Sequence, residues 1–253
     1  MPLNTSINDD LKTVGLLTPY RFGLLLFISV LLVLEAWFGH ANAFLLLNSW
    51  HTPVMDAVML KLTDFGDALV IGGIVALLFG RKQPGLIFAL ILVLAVAGGL
   101  VPLLKQGVFE EMHRPLKVLA EELVHAPGRR PKHHSFPSGH SFTVAAGCTF
   151  LAAGGWLTTH RWVYQVVALL LAVGVGYSRI YLGLHFAVDV AVGHALGALC
   201  AVVGLQFVPR LEAVAARWSA RLPHVSIGQV LFAVGALAVL GALLLRWVFN
   251  ASY

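Results

Sequence analysis

Tyr177-Ser178-Arg179-Ile180-Tyr181-Leu182-Gly183-Leu184-His185-Phe186-Ala187-Val188-Asp189 sets an arginine, a histidine and a carboxylate into a stretch that is otherwise almost wholly apolar. Charged groups in such surroundings are costly unless they pair or act. On a helix, His185 and Asp189 are four apart and share a face, so the carboxylate can hold one imidazole nitrogen and leave the other to attack. A second stretch, Phe136-Pro137-Ser138-Gly139-His140-Ser141, puts His140 directly after a Pro-Ser-Gly turn and before a long apolar run. A helix starting there aims the N–H groups of its first turn, and the Ser138 hydroxyl, at whatever anion sits in front. Phosphate is the obvious candidate.

Outside these stretches, 58% of the 253 residues are hydrophobic and 11% charged, against about 25% charged in soluble proteins. The chain reads as an all-α, polytopic membrane helical bundle. Its net charge of +5 would suggest nucleic acid only if gathered on one water-soluble face. The basic residues fall instead in the motif region or in short loops, so no nucleic-acid partner is expected. Cys148 and Cys200 lie in apolar segments with no zinc-like spacing around them; they read as packing residues, and no metal or cofactor is expected.

Residues 1–20 read as a cytoplasmic tail, 21–209 as a six-span domain, and 210–253 as a cytoplasmic loop followed by a further C-terminal transmembrane helix. Phe22 to Phe38 is the first span; Ala41-Asn42-Ala43 resembles a signal cleavage site, but the apolar core and polar leader are both long for one. From Phe44 to Asp64, Thr52-Pro53 supplies a helix cap and first helical residue for an amphipathic segment lying on the outer membrane surface. Alternatively, this segment extends the short second span, Ala68 to Gly80. Further spans are Pro84 to Leu104, Ser141 to Thr159, Trp162 to Ser178, Val190 to Pro209 and Val225 to Leu245. This threading brings the end of the third span, the start of the fourth and the junction of the fifth and sixth to one membrane face. With those motifs outside, and their basic residues set apart, the remaining lysines and arginines divide eight inside to two outside, as the positive-inside rule asks. Gly193 and Gly197 form a small-residue pair that lets helices approach closely, and His194 between them reads as a packing or hydrogen-bonded residue.

Pro137-Ser138-Gly139-His140, followed by Ser178-Arg179, five residues, His185, three residues and Asp189, resembles the signature of the type 2 phosphatidic acid phosphatase superfamily. That signature opens with a lysine, six residues and Arg-Pro. Here Arg114-Pro115 fits, but Lys105 has eight residues between. A seven-residue step returns to within roughly 20° of one helix face, while a nine-residue step lands about 180° away. Lys105 and Arg114 therefore reach one phosphate only if the helix ends between them, for instance near Gly107. The resemblance implies a six-helix phosphatase core in which His185 is the nucleophile, Asp189 holds its ring, and His140 protonates the leaving oxygen and later activates water. It implies phosphate binding by Arg114, Arg179, Ser138, Gly139 and, in the lysine's place, Lys105, with no metal. A His-x-x-x-Asp pair also fits a proton relay in a transporter, but that reading leaves Pro-Ser-Gly-His and Arg114-Pro115 unexplained.

The substrate expected is a membrane lipid phosphate: undecaprenyl diphosphate, phosphatidic acid, phosphatidylglycerol phosphate or a lipid A phosphate. If an acceptor lipid replaces water, the same site is a phosphotransferase. Between Arg114 and Pro137, Leu116, Leu119, Ala120, Leu123 and Val124 recur at helical spacing after Pro115. They predict a short lid helix ending at Ala126-Pro127-Gly128, with a basic rim of Arg129, Arg130 and Lys132 for anionic head groups; the alternative is a solvated basic loop.

Overall fold

The computed structural model describes residues 18–156, 158–221 and 226–248. Most of the expected tail, residues 1–17, lies outside them. The first helix, α1 (Pro19–Phe38), starts where the sequence allows: Thr18 is the N-cap, its hydroxyl accepting from the Arg21 N–H, and Pro19 fills the first turn at no cost in hydrogen bonds. Gly39, with φ of 78°, turns the chain into α2 (His40–Asn48). Ala41-Asn42-Ala43 is thus helical, with Ala43 buried.

Thr52 caps α3 (Pro53–Leu62), as its position before a proline predicts, by accepting from the Met55 N–H at 3.2 Å. A 3₁₀ turn, Thr63–Gly66, then leads into α4 (Ala68–Phe79) at a bend of 70°. Pro84 opens α5 (Pro84–Leu103), which runs on into a π turn over Leu104–Val108. The expected lid helix does not form as one element. A single helical turn, Pro115–Val118, gives way to extended backbone at Leu119 and Ala120 and a 3₁₀ turn over Glu121–Leu123; four consecutive helical residues are too few to sustain a helix by themselves.

After this segment come α6 (Gly139–Trp156), α7 (Arg161–Tyr181), α8 (Ala187–Leu205), α9 (Val208–Arg221) and α10 (Ile227–Val248). α9 occupies residues expected to be a loop. It is an amphipathic helix: Val208 and Ala215 are buried, Arg210, Arg217 and Arg221 face out, and Glu212 accepts from the Gly85 N–H at 2.6 Å, satisfying an orphan donor at the start of α5.

Among the described residues four helices, namely α1, α5 with its π turn, α7 and α8, are long and apolar enough to cross a membrane, and α3 with α4 makes a fifth if the bent pair is one span. α10 holds a shorter apolar stretch, Ile227–Ala242. The remaining expected span, α6, is central, packed by α4, α5, α7 and α8. Its small residues suit that position, because they let neighbours approach closely where no lipid is met. Phe142, Val144, Ala145, Ala146, Cys148 and Phe150 are fully enclosed, and the Tyr20 hydroxyl donates into α6 at Ala145 O (3.0 Å). Outward-facing side chains such as Leu25, Val33, Leu92 and Leu170 are exposed, as a lipid-facing surface requires.

The Gly193 and Gly197 pair works as its spacing predicts. A Cβ at Gly197 would lie 2.2 Å from Phe142 O, and one at Gly193 would lie 2.6 Å from Ser138 O, so α8 touches the backbone of α6. A second seam joins α4 and α10, where Gly73 faces Gly235 and Gly80 faces the backbone around Leu231. Gly197→Ala is expected to cost on the order of 1–3 kcal/mol through overpacking, a loss of several degrees in thermal unfolding in detergent. Gly241→Ala, where a Cβ meets nothing within 4 Å, is expected to leave the midpoint unchanged or raise it.

Candidate active site

Four helix ends meet in the site: the end of α5 with its π turn, the start of α6, the end of α7 and the start of α8. The 3₁₀ turn between α3 and α4 forms one wall. Thr63 is fully buried and accepts from Arg179 Nη1, and the Gly66 carbonyl accepts from the Thr143 hydroxyl. A Cβ at Gly66 would stand 2.8 Å from His140 Cβ, so glycine there gives the imidazole its room. One irregular turn thus positions a cation from α7 and a histidine from α6.

His185 lies in the turn before α8, not on the helix. Asp189 is the third residue of α8, and its Oδ2 reaches back to accept from the Phe186 N–H at 3.0 Å, the carboxylate half of a capping box. The four-residue spacing still brings the pair together, with Asp189 Oδ2 3.3 Å from His185 Nδ1, but by helix capping and not by a shared helical face. The Ser135 hydroxyl donates to the same Oδ2 and lies 3.3 Å from His185 Nδ1. With those acceptors around Nδ1, that nitrogen carries the proton, and Nε2 keeps its lone pair toward Arg114 Nη1 at 3.3 Å. Burial first, then the charges of Arg114, Lys105, Arg179 and His140, hold the imidazole well below its ordinary value of 6.5. At neutral pH the His185 imidazole is therefore uncharged.

His185 borders a cavity of about 420 Å³. Lys105, Arg114 and Arg179 line it with Gly139 and His140, and Arg129, Pro131 and Leu184 complete the wall. Lys105 and Arg114 share the cavity because α5 gives way to the π turn before ending at Val108, which meets the condition set by their nine-residue separation. Lys105 Nζ donates to His134 O at 3.0 Å. Arg114 donates through Nη1 to Leu184 O at 2.8 Å and through Nε to His133 O at 2.9 Å. Ser138 is not on the cavity wall. It is fully buried and its Oγ accepts from the Ser141 hydroxyl at 2.9 Å and the Ser141 N–H at 3.4 Å, so it caps α6. Its own N–H donates to Asp189 O at 3.0 Å.

Ser135 and Thr63 escaped the sequence reading because nothing in their spacing separates them from other hydroxyls. Asn48 did so too. Its side chain donates to His125 O, Ile180 O and Tyr181 O and accepts from the His125 N–H, tying α2 and the 114–137 segment to the end of α7. Glu35 of α1 accepts from the Val188 N–H at 2.9 Å and His40 stacks on Phe186 at 3.7 Å, supporting the turn that carries His185. His194 has Val190 O and Ala172 O each 2.9 Å from its ring nitrogens, the hydrogen-bonded role expected of it. Among the described residues no group of His, Cys, Asp and Glu is arranged to hold a metal.

Residues 86–213 match the family model of the PAP2 superfamily. The chain is 28% identical over 196 residues to the undecaprenyl-diphosphatase of Sulfolobus acidocaldarius, covering 74% of this chain and 90% of that protein. It is 36% identical over 110 residues to phosphatidylglycerophosphatase B of Bacillus subtilis, 40% of this chain and 53% of that one. The crystal structure of Aquifex aeolicus LpxE superimposes with a TM-score of 0.56 at 27% identity, over 66% of this chain and 94% of the other.

Removing the Ser135 hydroxyl takes a donor from a buried carboxylate, a loss of about 1.5–3 kcal/mol. Ser135→Ala is accordingly expected to melt several degrees lower in detergent; an unchanged midpoint would show that Asp189 does not depend on it.

Proposed function

This chain belongs to the PAP2 superfamily, and on that premise we propose that it hydrolyses membrane lipid phosphates through a phosphohistidine formed at His185, on the outer face of the membrane. The observation that carries this reading is the division of labour on one imidazole: Nδ1 is held by Asp189 while Nε2 faces Arg114 Nη1 at 3.3 Å, and the residue borders a cavity lined by Lys105, Arg114, Arg179 and His140. Names of relatives support a lipid substrate, since one is an undecaprenyl-diphosphatase and another a phosphatidylglycerophosphatase. The distribution of basic residues in the loops supports the outer face.

In the first step Nε2 attacks phosphorus, the P–O bond to the lipid breaks, and His140 gives its proton to the departing oxygen. Asp189 stabilises the charge that then develops on the ring of His185. Arg114, Arg179 and Lys105 meet the equatorial oxygens, where charge stabilisation dominates phosphoryl transfer, and the first N–H groups of α6 at Gly139 add to it. In the second step His140 takes a proton from water, the water oxygen attacks phosphorus, the P–N bond breaks and inorganic phosphate leaves. Arginines here carry the charge that magnesium carries in kinases, so chelators are expected to leave turnover intact.

Purified protein in detergent, with chelator present, is expected to release phosphate from a panel of lipid monophosphates and diphosphates. His185→Ala should abolish release, and His140→Ala should reduce it by roughly 10²–10⁴. Release that survives in His185→Ala would overturn the phosphohistidine. Burial disfavours protonation, so His185 stays neutral until the pH falls below 6.5. The acid limb of kcat/KM is therefore expected below that value, together with a loss of folding stability as the unfolded chain takes up the proton that the folded one refuses. A limb at or above 6.5 would contradict the assignment.

A further inference from the structure

Arg129 lines the same cavity as His185 yet lies outside every motif block, in a segment whose path the structure explains. Residues 112–114 and 132–135 run antiparallel, joined by Arg114 N–H to Lys132 O at 3.1 Å and Ser135 N–H to Met112 O at 2.8 Å. His134, with a φ of 54°, sits within this stretch beside Lys105, whose Nζ donates to its carbonyl at 3.0 Å. Upstream of this join, successive side chains go to opposite sides. Arg130 and Lys132 turn to the solvent side and pair with Glu121, Arg130 at 3.5 Å; Arg129 and Pro131 turn to the cavity.

Depth orders the cations. His185 and Arg179 are 2% and 5% exposed, Arg114 is half-buried, and Arg129 is exposed at the mouth. A phosphoryl group under attack by Nε2 sits at the buried end, against Arg114, Arg179 and Lys105. Whatever joins that group to its lipid leaves through the mouth, past Arg129. The cavity's volume of about 420 Å³ exceeds what the five heavy atoms of a phosphate fill and admits the nine of a diphosphate. We propose that Arg129 forms a second anion subsite, which takes the lipid-proximal phosphate of a diphosphate substrate while the terminal phosphate lies on His185. The inference rests on the phosphatase reading above and adds to it the residue that separates diphosphates from monophosphates. The step it assists is the departure of a lipid monophosphate, whose charge Arg129 meets as the terminal P–O bond breaks.

The test compares kcat/KM for a polyprenyl diphosphate and the matching polyprenyl monophosphate in the same micelles. Arg129→Ala is expected to lower the diphosphate value roughly tenfold, the change of an interaction worth one factor of ten, and the monophosphate value less than threefold, with Arg129→Lys restoring most of the difference. An equal fall on both substrates, fading at high salt, would make Arg129 a general attractor of anionic lipid and overturn the subsite, as would no change on either. Binding separates this result from the fate of the phosphatase reading. Methylenediphosphonate should bind the Arg129→Ala protein about tenfold more weakly than the unaltered one, with inorganic phosphate unaffected. Should the unaltered protein release no phosphate from either lipid while that binding difference holds, the subsite stands and the hydrolytic reading falls; loss of the binding difference overturns the subsite itself.

Discussion

One oxygen of a buried carboxylate holds the site together. Asp189 Oδ2 takes the Phe186 N–H, the Ser135 hydroxyl and the Nδ1 proton of His185, and the main-chain carbonyl of the same residue takes the Ser138 N–H. An ionised carboxylate in such surroundings costs several kcal/mol unless its lone pairs are filled. Filling them is what draws the two motif blocks together: the segment before α6, the turn before α8 and the imidazole are all donors to one residue. The tautomer of His185 is a consequence of this arrangement, since a proton on Nδ1 is needed to complete it and the lone pair is left on Nε2.

The frame around that carboxylate is set by close helix contact. α8 approaches α6 through Gly193 and Gly197 near enough to touch backbone, which is what allows Ser138 N–H to reach Asp189 O across the two helices. On the opposite side the bend of 70° between α3 and α4 turns a short irregular segment inward, where Thr63 and Gly66 receive Arg179 and His140. A straight helix through residues 53–79 would place neither group there.

The motif residues were legible because their chemistry is conspicuous in an apolar chain: His185, Asp189, Arg179, His140 and Arg114 stand out by type as well as by spacing. The glycine pair in α8 was legible from its four-residue step, and the helix start at Pro53 from Thr52. Other features carried no such mark. Ser135, Thr63 and Asn48 act through contacts between residues far apart in sequence, as the 132 positions between Asn48 and Ile180 illustrate. The periodicity of Leu116 to Val124 pointed to a helix, but only Leu116 and Val124 are buried. The segment meets its neighbours at its two ends, and local period yields to that packing. α9 was missed for the opposite reason: its charges look like those of a loop until one sees the face it lays against α5.

Placing the site at helix ends creates a demand that its cations meet. Helix termini expose carbonyls that no helical bond satisfies, and at the edge of a membrane these need other donors. Arg114 donates to Leu184 O and His133 O, Lys105 to His134 O, and Asn48 to three carbonyls at the end of α7 and in the segment that packs on it. Two of the groups that line the cavity are therefore also the groups that satisfy its loops. Five donors on a guanidinium allow both duties at once, whereas the point charge of a lysine is more easily exhausted by one partner. That difference suits the arginine that binds the turn carrying His185 and stands 3.3 Å from its Nε2, and loss of its side chain would loosen that turn.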